Sequence, residues 1–257
     1  MKRSMRVLPA LALLGLTLGL SSADPLEADR LLDDVVARLP AEPLRISGDL
    51  LVRKRHGVPV NRFSFEMLLD WGQLPNTARY TIRDAFGTDL EQLTVKRDAD
   101  GTPNFHHASG DPLKADTVPP LFDTVQSSDI SWVDLALAFL WWKGGEVTGS
   151  EEVKGRKCHV VEVPAPGGAD DAVQSGEKTD GAGTPYARVR LWIDEELRML
   201  LQAEGLDAED NLIRKLWVKS FKKIDDHWMI KDLEVQSYPV KHRTKLSIRE
   251  MVADTPL

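Results

Sequence analysis

The sequence predicts a mainly β protein with a few helices, its strands forming one strongly curved antiparallel sheet or open barrel. Three observations carry this. Apolar residues alternate at period two in segment after segment, the links between segments are short and rich in turn-forming residues, and helical periodicity is confined to two places. Strands joined by short turns must be antiparallel neighbours, because a parallel crossover needs a dozen or more residues. About ten strands in succession curl or close rather than stay flat.

The chain opens with a different kind of segment. Lys2, Arg3 and Arg6 precede an apolar run from Val7 to Leu20, followed by Ser21-Ser22-Ala23 and Asp24. This order of basic, apolar and small-residue regions is that of a secretory signal peptide, and the run is short of the roughly 20 apolar residues that a membrane span needs. Cleavage is expected after Ala23, giving residues 1–23 as signal peptide and 24–257 as a single domain. A retained N-terminal anchor is the alternative. No cysteine follows the apolar run, so a lipid-anchored N-terminus is not expected, and the mature protein is expected to be soluble.

From Asp24 to Leu39, the residues Leu26, Leu31, Leu32, Val35, Val36 and Leu39 recur at helical spacing, with acidic residues in the first turns and Pro40 as a stop. Strands are expected next at Leu44–Val52 and Arg62–Trp71. In the latter, Phe63, Phe65, Met67, Leu69 and Trp71 share one face. Ala78–Phe86, with Tyr80 and Ile82, extends that face, and Leu90–Arg97 follows. Asp98-Ala99-Asp100-Gly101 resembles a fragment of a calcium loop, but it lacks the later ligands and reads as a hairpin turn. His106-His107 lies in a polar neighbourhood that suits an exposed loop.

Ser131-Trp132-Val133-Asp134 offers a capping box with Asp at the acidic position, and Leu135 to Trp142 continues without a polar residue. One short helix is expected over Ser131 to Trp142, with Trp132, Leu135, Ala136, Phe139 and Leu140 on one stripe and an apolar opposite side. A helix apolar all round is covered on both sides. It is either a core helix or the cover of a ligand cavity. The remaining strands are expected at Glu146–Val153, Arg156–Val163, Tyr186–Ile193, Met199–Asp207, Leu212–Phe221, Trp228–Tyr238 and His242–Met251. The stretch 165–185, dense in Gly, Ala and Asp, reads as a flexible insertion.

Composition narrows the function classes. Hydrophobic residues make up 42% and charged residues 28% of the 257 residues, ordinary values for a globular unit. The net charge of −7 becomes more negative once the three basic residues of the leader are removed, and no basic stripe with interleaved aromatics suggests nucleic acid. The single cysteine, Cys158, cannot form an internal disulfide. It reads as a buried small hydrophobe. Cys158 and His159 are adjacent in an expected strand, so their side chains leave opposite faces and cannot act as a nucleophile and base pair. No metal shell, P-loop, Gly-x-Ser-x-Gly or paired Cys-x-x-Cys occurs, so neither cofactor nor metal is expected and no catalytic residue is assigned.

The second half, from about Ser131 to the C-terminus, carries a succession of short patterns. They are Ser131-Trp132-x-Asp134-Leu135, Glu152-Val153-x-Gly155-Arg156-x-Cys158-x-Val160, Tyr186-x-x-Val189-x-Leu191-Trp192-Ile193-Asp194, Ile224-Asp225-Asp226-x-Trp228 and Lys241-x-x-Thr244-x-Leu246. In this order and spacing they resemble the LolA-like superfamily of outer-membrane lipoprotein-sorting proteins, which includes the LolB-type and RseB/MucB-type proteins. The resemblance implies a half-open barrel covered by the N-terminal helix and the short apolar helix, with a hydrophobic cavity between. It implies a periplasmic carrier of a lipoprotein or lipid cargo, moving acyl chains towards the outer membrane, with a membrane-bound donor or acceptor, transient membrane association and no cofactor. The expected cavity lining and cover are Phe63, Phe65, Met67, Leu69, Trp71, Tyr80, Ile82, Trp132, Leu135, Ala136, Phe139 and Leu140. A lipid sensor or protein-interaction module of the RseB type is the alternative of a different class, and an enzyme acting on a lipid ester is the third.

Overall fold

The computed structural model describes residues 25–166, 186–224, 227–239 and 242–253. Its frame is one 13-stranded antiparallel sheet, not closed into a barrel, in the order β6-β5-β4-β3-β2-β1-β13-β12-β11-β10-β9-β8-β7. The first six strands are β1 (Leu44–Arg53), β2 (Pro59–Asp70), β3 (Asn76–Arg83), β4 (Asp89–Arg97), β5 (Pro103–Ser109) and β6 (Lys114–Asp116). The other limb is β7 (Glu146–Val153), β8 (Arg156–Pro164), β9 (Arg188–Asp194), β10 (Leu200–Leu206), β11 (Leu212–Ile224), β12 (His227–Ser237) and β13 (Arg243–Ala253). Strands consecutive in sequence pair with one another except β6 and β7, and the two limbs join where β1 pairs with β13. The sheet edges are therefore β6 and β7, the two strands that flank residues 117–145. That connection must pass from one edge to the other, and it does so across the concave side.

Alternation sets which face is which. In β1 the burial pattern alternates along the whole strand, and Leu44, Ile46, Leu50 and Val52 point into the concave core. Curvature comes from bulges, which bend a strand and increase its twist. One lies at Ser47/Gly48 in the β1–β13 pairing, where a side chain at Gly48 would collide with the Ser247 carbonyl and the Phe65 ring. The glycine lets the Phe65 ring lie directly over the backbone at the bend. Both edges are protected from strand addition: β6 has three exposed residues, and β7 exposes Glu146, Glu151 and Glu152.

Helix α1 (Pro25–Ala37) buries Ala28, Leu31, Leu32 and Val35 against the connection and β7. A second, smaller cluster of Cys158, Val160, Trp192 and Leu201, with Val153 and Phe221 against it, packs apart from the main core.

Three expectations are corrected. The single helix from Ser131 to Trp142 is two pieces, α2 (Trp132–Leu135) and a 3-10 turn (Ala138–Trp141), separated by Leu137 in the left-handed region at φ 46°. A stretch this short is below the length at which a helix is stable alone, so packing decides its path, and packing turns Phe139 and Trp141 to different neighbours. The polar segment containing His106-His107 is not an exposed loop. It is β5, paired with β4, and it buries His107 at 3.6 Å from Glu91 and edge-on to Trp132. The strand expected to run to Phe86 ends at Arg83, leaving Phe86 at the hairpin tip, 95% exposed. Residues 1–23 lie outside the described residues, as does the insertion 165–185 beyond Ala165 and Pro166. Ala165 itself is buried and donates its backbone N–H to Ala187.

Candidate functional site: an apolar cavity under a pinned cover

The connection 117–145 is held to the sheet near its middle by buried polar contacts. Ser131 caps α2: its hydroxyl accepts from the Asp134 N–H, and the Asp134 carboxylate accepts from the Ser131 N–H at 2.9 Å and hydroxyl at 2.7 Å. The same carboxylate oxygen receives Arg214 of β11 at 2.9 Å. Desolvation would lower the Arg214 pKa, but Asp134 and Tyr186 outweigh it and the guanidinium is held above its ordinary value. A second tie runs to β13, where Thr244 accepts from the Asp129 N–H and donates to the Asp129 carboxylate at 2.8 Å. Burial raises the Asp129 pKa, with the Thr244 and Ser237 hydroxyls opposing the shift. The cover is thus fastened to the sheet at residues 129–134, and among the described residues the next side-chain hydrogen bonds along it are those of Lys143 and Gly144 to Asp33 and Asp29 of α1.

Between this cover, α1 and the sheet lies an apolar cavity of about 130 Å³. By volume it is close to an apolar cavity that holds a single benzene ring. Its floor is Ile46, Met67, Leu69, Tyr80, Leu233, Leu246 and Ile248, its roof Leu135, Ala136, Leu137, Leu140 and Trp141, and one wall Val35 and Leu39. Arg38, Trp71, Arg198 and Trp228 are at its rim, Trp228 being 44% exposed. Burial pushes the Tyr80 phenol up to about 12, with Arg97 opposing, so it stays neutral. An outer groove of about 840 Å³ lies on the far side of Trp141, between the β4–β5 hairpin and the end of β8, lined among others by Arg97, Phe105, Phe122, Trp142 and Ala165.

The residues expected at the site divide along the strands. Met67, Leu69, Trp71, Tyr80, Leu135, Ala136 and Leu140 line the inner cavity. Phe63, Phe65 and Ile82 share the concave face but sit towards the β1–β2 hairpin, where Leu50 pairs with Phe63 and Phe65 with both Gly48 and Ile82. They are solid core there. Trp132 packs on His107, and Phe139 is buried among Tyr186, Val189, Ala203 and Leu216. The sequence reading passed over Ile46, Leu233, Leu246, Ile248 and Met229, all on inward phases of strands that it delimited. It also passed over Arg97, which continues the inward series Leu93, Val95 and is 5% exposed.

Other candidate centres are structural. Asp98–Gly101 forms a hairpin turn in which Asp100 accepts from the Thr102 N–H. Among the described residues no cluster of His, Cys, Asp and Glu could hold a metal. Cys158 is buried, and desolvation, reinforced by Asp194, pushes its thiol up to about 11.

A family profile described as "Uncharacterized protein" matches residues 122–257, just over half of the chain. The chain belongs to that family. The matched region holds the cover, its ties at Asp129 and Asp134, and β7 to β13. No curated protein matches the sequence. Among solved structures, a DUF1329 family protein from Desulfovibrio piger superposes with a TM-score of 0.71 at 16% identity, over 92% of this chain and 95% of that one. The domain of a putative outer membrane lipoprotein-sorting protein from Vibrio parahaemolyticus gives 0.69 at 12% identity, over 91% and 95%. A LolA superfamily protein from Nitrosomonas europaea gives 0.59 at 11% identity, over 91% and 96%. The fold is LolA-like. Among the described residues, no helix is long and apolar enough to cross a membrane.

Proposed function

We propose that the chain is an exported periplasmic carrier that takes acyl chains of a lipoprotein or lipid into the inner cavity and passes them, through a membrane-bound donor or acceptor, towards the outer membrane. The observation that carries this reading is the apolar cavity itself, roofed by the middle of a connection that is tied to the sheet at residues 126–134 and to α1 at Lys143 and Gly144. Each methylene moved from water into such a lining gains about 0.8 kcal/mol, so the roughly five methylenes that a cavity of about 130 Å³ holds gain on the order of 4 kcal/mol before the costs of association. Retention by burial needs no catalytic group. Leu137, a non-glycine residue in the left-handed region, stores roughly 1 kcal/mol of backbone strain, and it stands in the middle of the cavity roof.

The test is a titration of lipid-free mature protein with a fluorescent fatty acid. Ala136, half-buried on the cavity roof, is the position for a block: Ala136→Trp fills the cavity from a site with room on its outer side. The variant is expected to bind at least about tenfold more weakly, as loss of two or more buried methylenes requires. Wild-type protein that binds no acyl probe ends the carrier reading. Export is checked separately, by N-terminal sequencing of protein from the periplasm, which is expected to begin at Asp24.

A further inference from the structure

Arg97 is a buried cation without an anion. Its residue is 5% exposed, and among the described residues no carboxylate pairs with it and no acceptor takes a hydrogen bond from its guanidinium. What it touches is aromatic: the guanidinium carbon stands 4.2 Å from the centre of the Trp141 ring, with the Tyr80 phenol as the titratable group near it. Burial lowers its pKa, but a guanidinium does not lose its proton in a protein. Arg83, Arg156, Arg190 and Arg214 all meet carboxylates.

A charge taken out of water without a partner is costly unless something supplies the missing contacts. Arg97 faces the outer groove, and of the described residues that line it only Arg97 and Lys143 are charged; none is acidic. Lys143 is spoken for by Asp33 of α1. The rest of the lining is apolar and aromatic, with Phe105, Phe122 and Trp142. Trp141 separates this groove from the inner cavity, since its ring lines both.

We propose that the outer groove is an anion subsite in which Arg97 binds the carboxylate or phosphate headgroup of a single-chain amphiphile, its apolar part lying along the aromatic lining. This rests on the carrier reading for the nature of the apolar part, and it adds the charge of the cargo. A planar guanidinium held against a tryptophan offers its fork to two oxygens of one headgroup, which suits carboxylate and phosphate alike. Because the Arg97–Trp141 pair forms the partition, an anion drawn onto Arg97 competes with the tryptophan face for the cation. Headgroup binding thereby loosens the wall behind which the acyl cavity lies.

The test compares an acid with its neutral ester. Lipid-free mature protein is titrated with dansyl-undecanoic acid and with its methyl ester at neutral pH. Wild type is expected to bind the acid at least about tenfold more tightly, the ratio that a charge-assisted hydrogen bond supplies. Arg97→Met should bring the acid down to the ester's affinity and leave the ester within about twofold, while Lys143→Gln keeps the preference. Arg97→Gln gives the same comparison if the methionine variant does not fold. Displacement by dodecanoate or by dodecyl phosphate identifies which headgroup is preferred, and displacement by either supports the subsite. Equal binding of acid and ester by wild type, or an Arg97 variant that keeps the preference, overturns it. Acid binding that is lost in the Arg97 variant but unchanged in Ala136→Trp retains the subsite and ends the acyl-cavity reading, whereas a protein that binds neither ligand overturns both.

Discussion

Replacing Asp134 with alanine removes one carboxylate oxygen that serves three donors: the Ser131 N–H, the Ser131 hydroxyl and the Arg214 guanidinium. Asp134 is 4% exposed and the Arg214 side chain 11%, so water cannot replace what is lost. The helix cap alone contributes about 1 kcal/mol. Breaking a buried ion pair from one side costs about 3–5 kcal/mol, because the other charge stays buried. The two overlap, and a loss of about 3–5 kcal/mol is expected, a large part of the roughly 5–15 kcal/mol that holds a domain folded. With an m-value of about 2–3 kcal/mol/M, the urea midpoint should fall by roughly 1–2 M. The double variant Asp134→Leu with Arg214→Met leaves no orphaned charge and should recover much of the loss. If Asp134→Ala melts within about 0.3 M of wild type, the cover is not fastened through this pair and the argument fails.

Acid stability is expected to track Asp232. Desolvation acts to raise its pKa, but Ser220, Lys245 and Ser247 outweigh it and hold the carboxyl at about 2. Since an unfolded Asp titrates near 3.9, the stabilisation, roughly 2 kcal/mol, is fully present above about pH 4 and is lost as pH falls through 2. Asp232→Asn should therefore flatten the acid-unfolding curve between these values, and an unchanged curve would contradict the assignment. Cys158, with its thiol pushed up to about 11, should react with a thiol reagent at pH 8 far more slowly in the native protein than in urea. Cys158→Ser is expected to cost about 1–3 kcal/mol and leave ligand binding intact, which a melt and a titration together check.

The sequence by itself determined the meander. Period-two alternation with short turns forces antiparallel neighbours, and eleven of the strands begin and end close to where the pattern of Ile46, Phe63, Tyr80, Val160 or Leu246 places them. The capping box at Ser131 was equally legible, because its two partners are three residues apart and the interaction is local. β5 and β6 were not legible, since their outward polar residues hide a strand whose inward residue is His107, buried only because β4 brings Glu91 beside it and the cover brings Trp132.

Only the tertiary structure decided the site. Phe63 and Met67 share one strand face, yet one is solid core and the other lines a cavity, because the connection packs down at Val125–Ile130 on the Phe63 end and arches over the Met67 end from Leu135 to Trp141. Alternation says which side a residue faces; it says nothing of what stands opposite. The break at Leu137 and the buried Arg97 belong to the same class. Neither has a local cause in its own segment: Leu137 turns where Phe139 packs towards β9–β11 and Trp141 towards Arg97 of β4, and Arg97 lacks an anion because the described strands and cover around it bring aromatic rings and no carboxylate. These contacts join residues far apart in the chain, and their geometry is set by the curvature of the whole sheet.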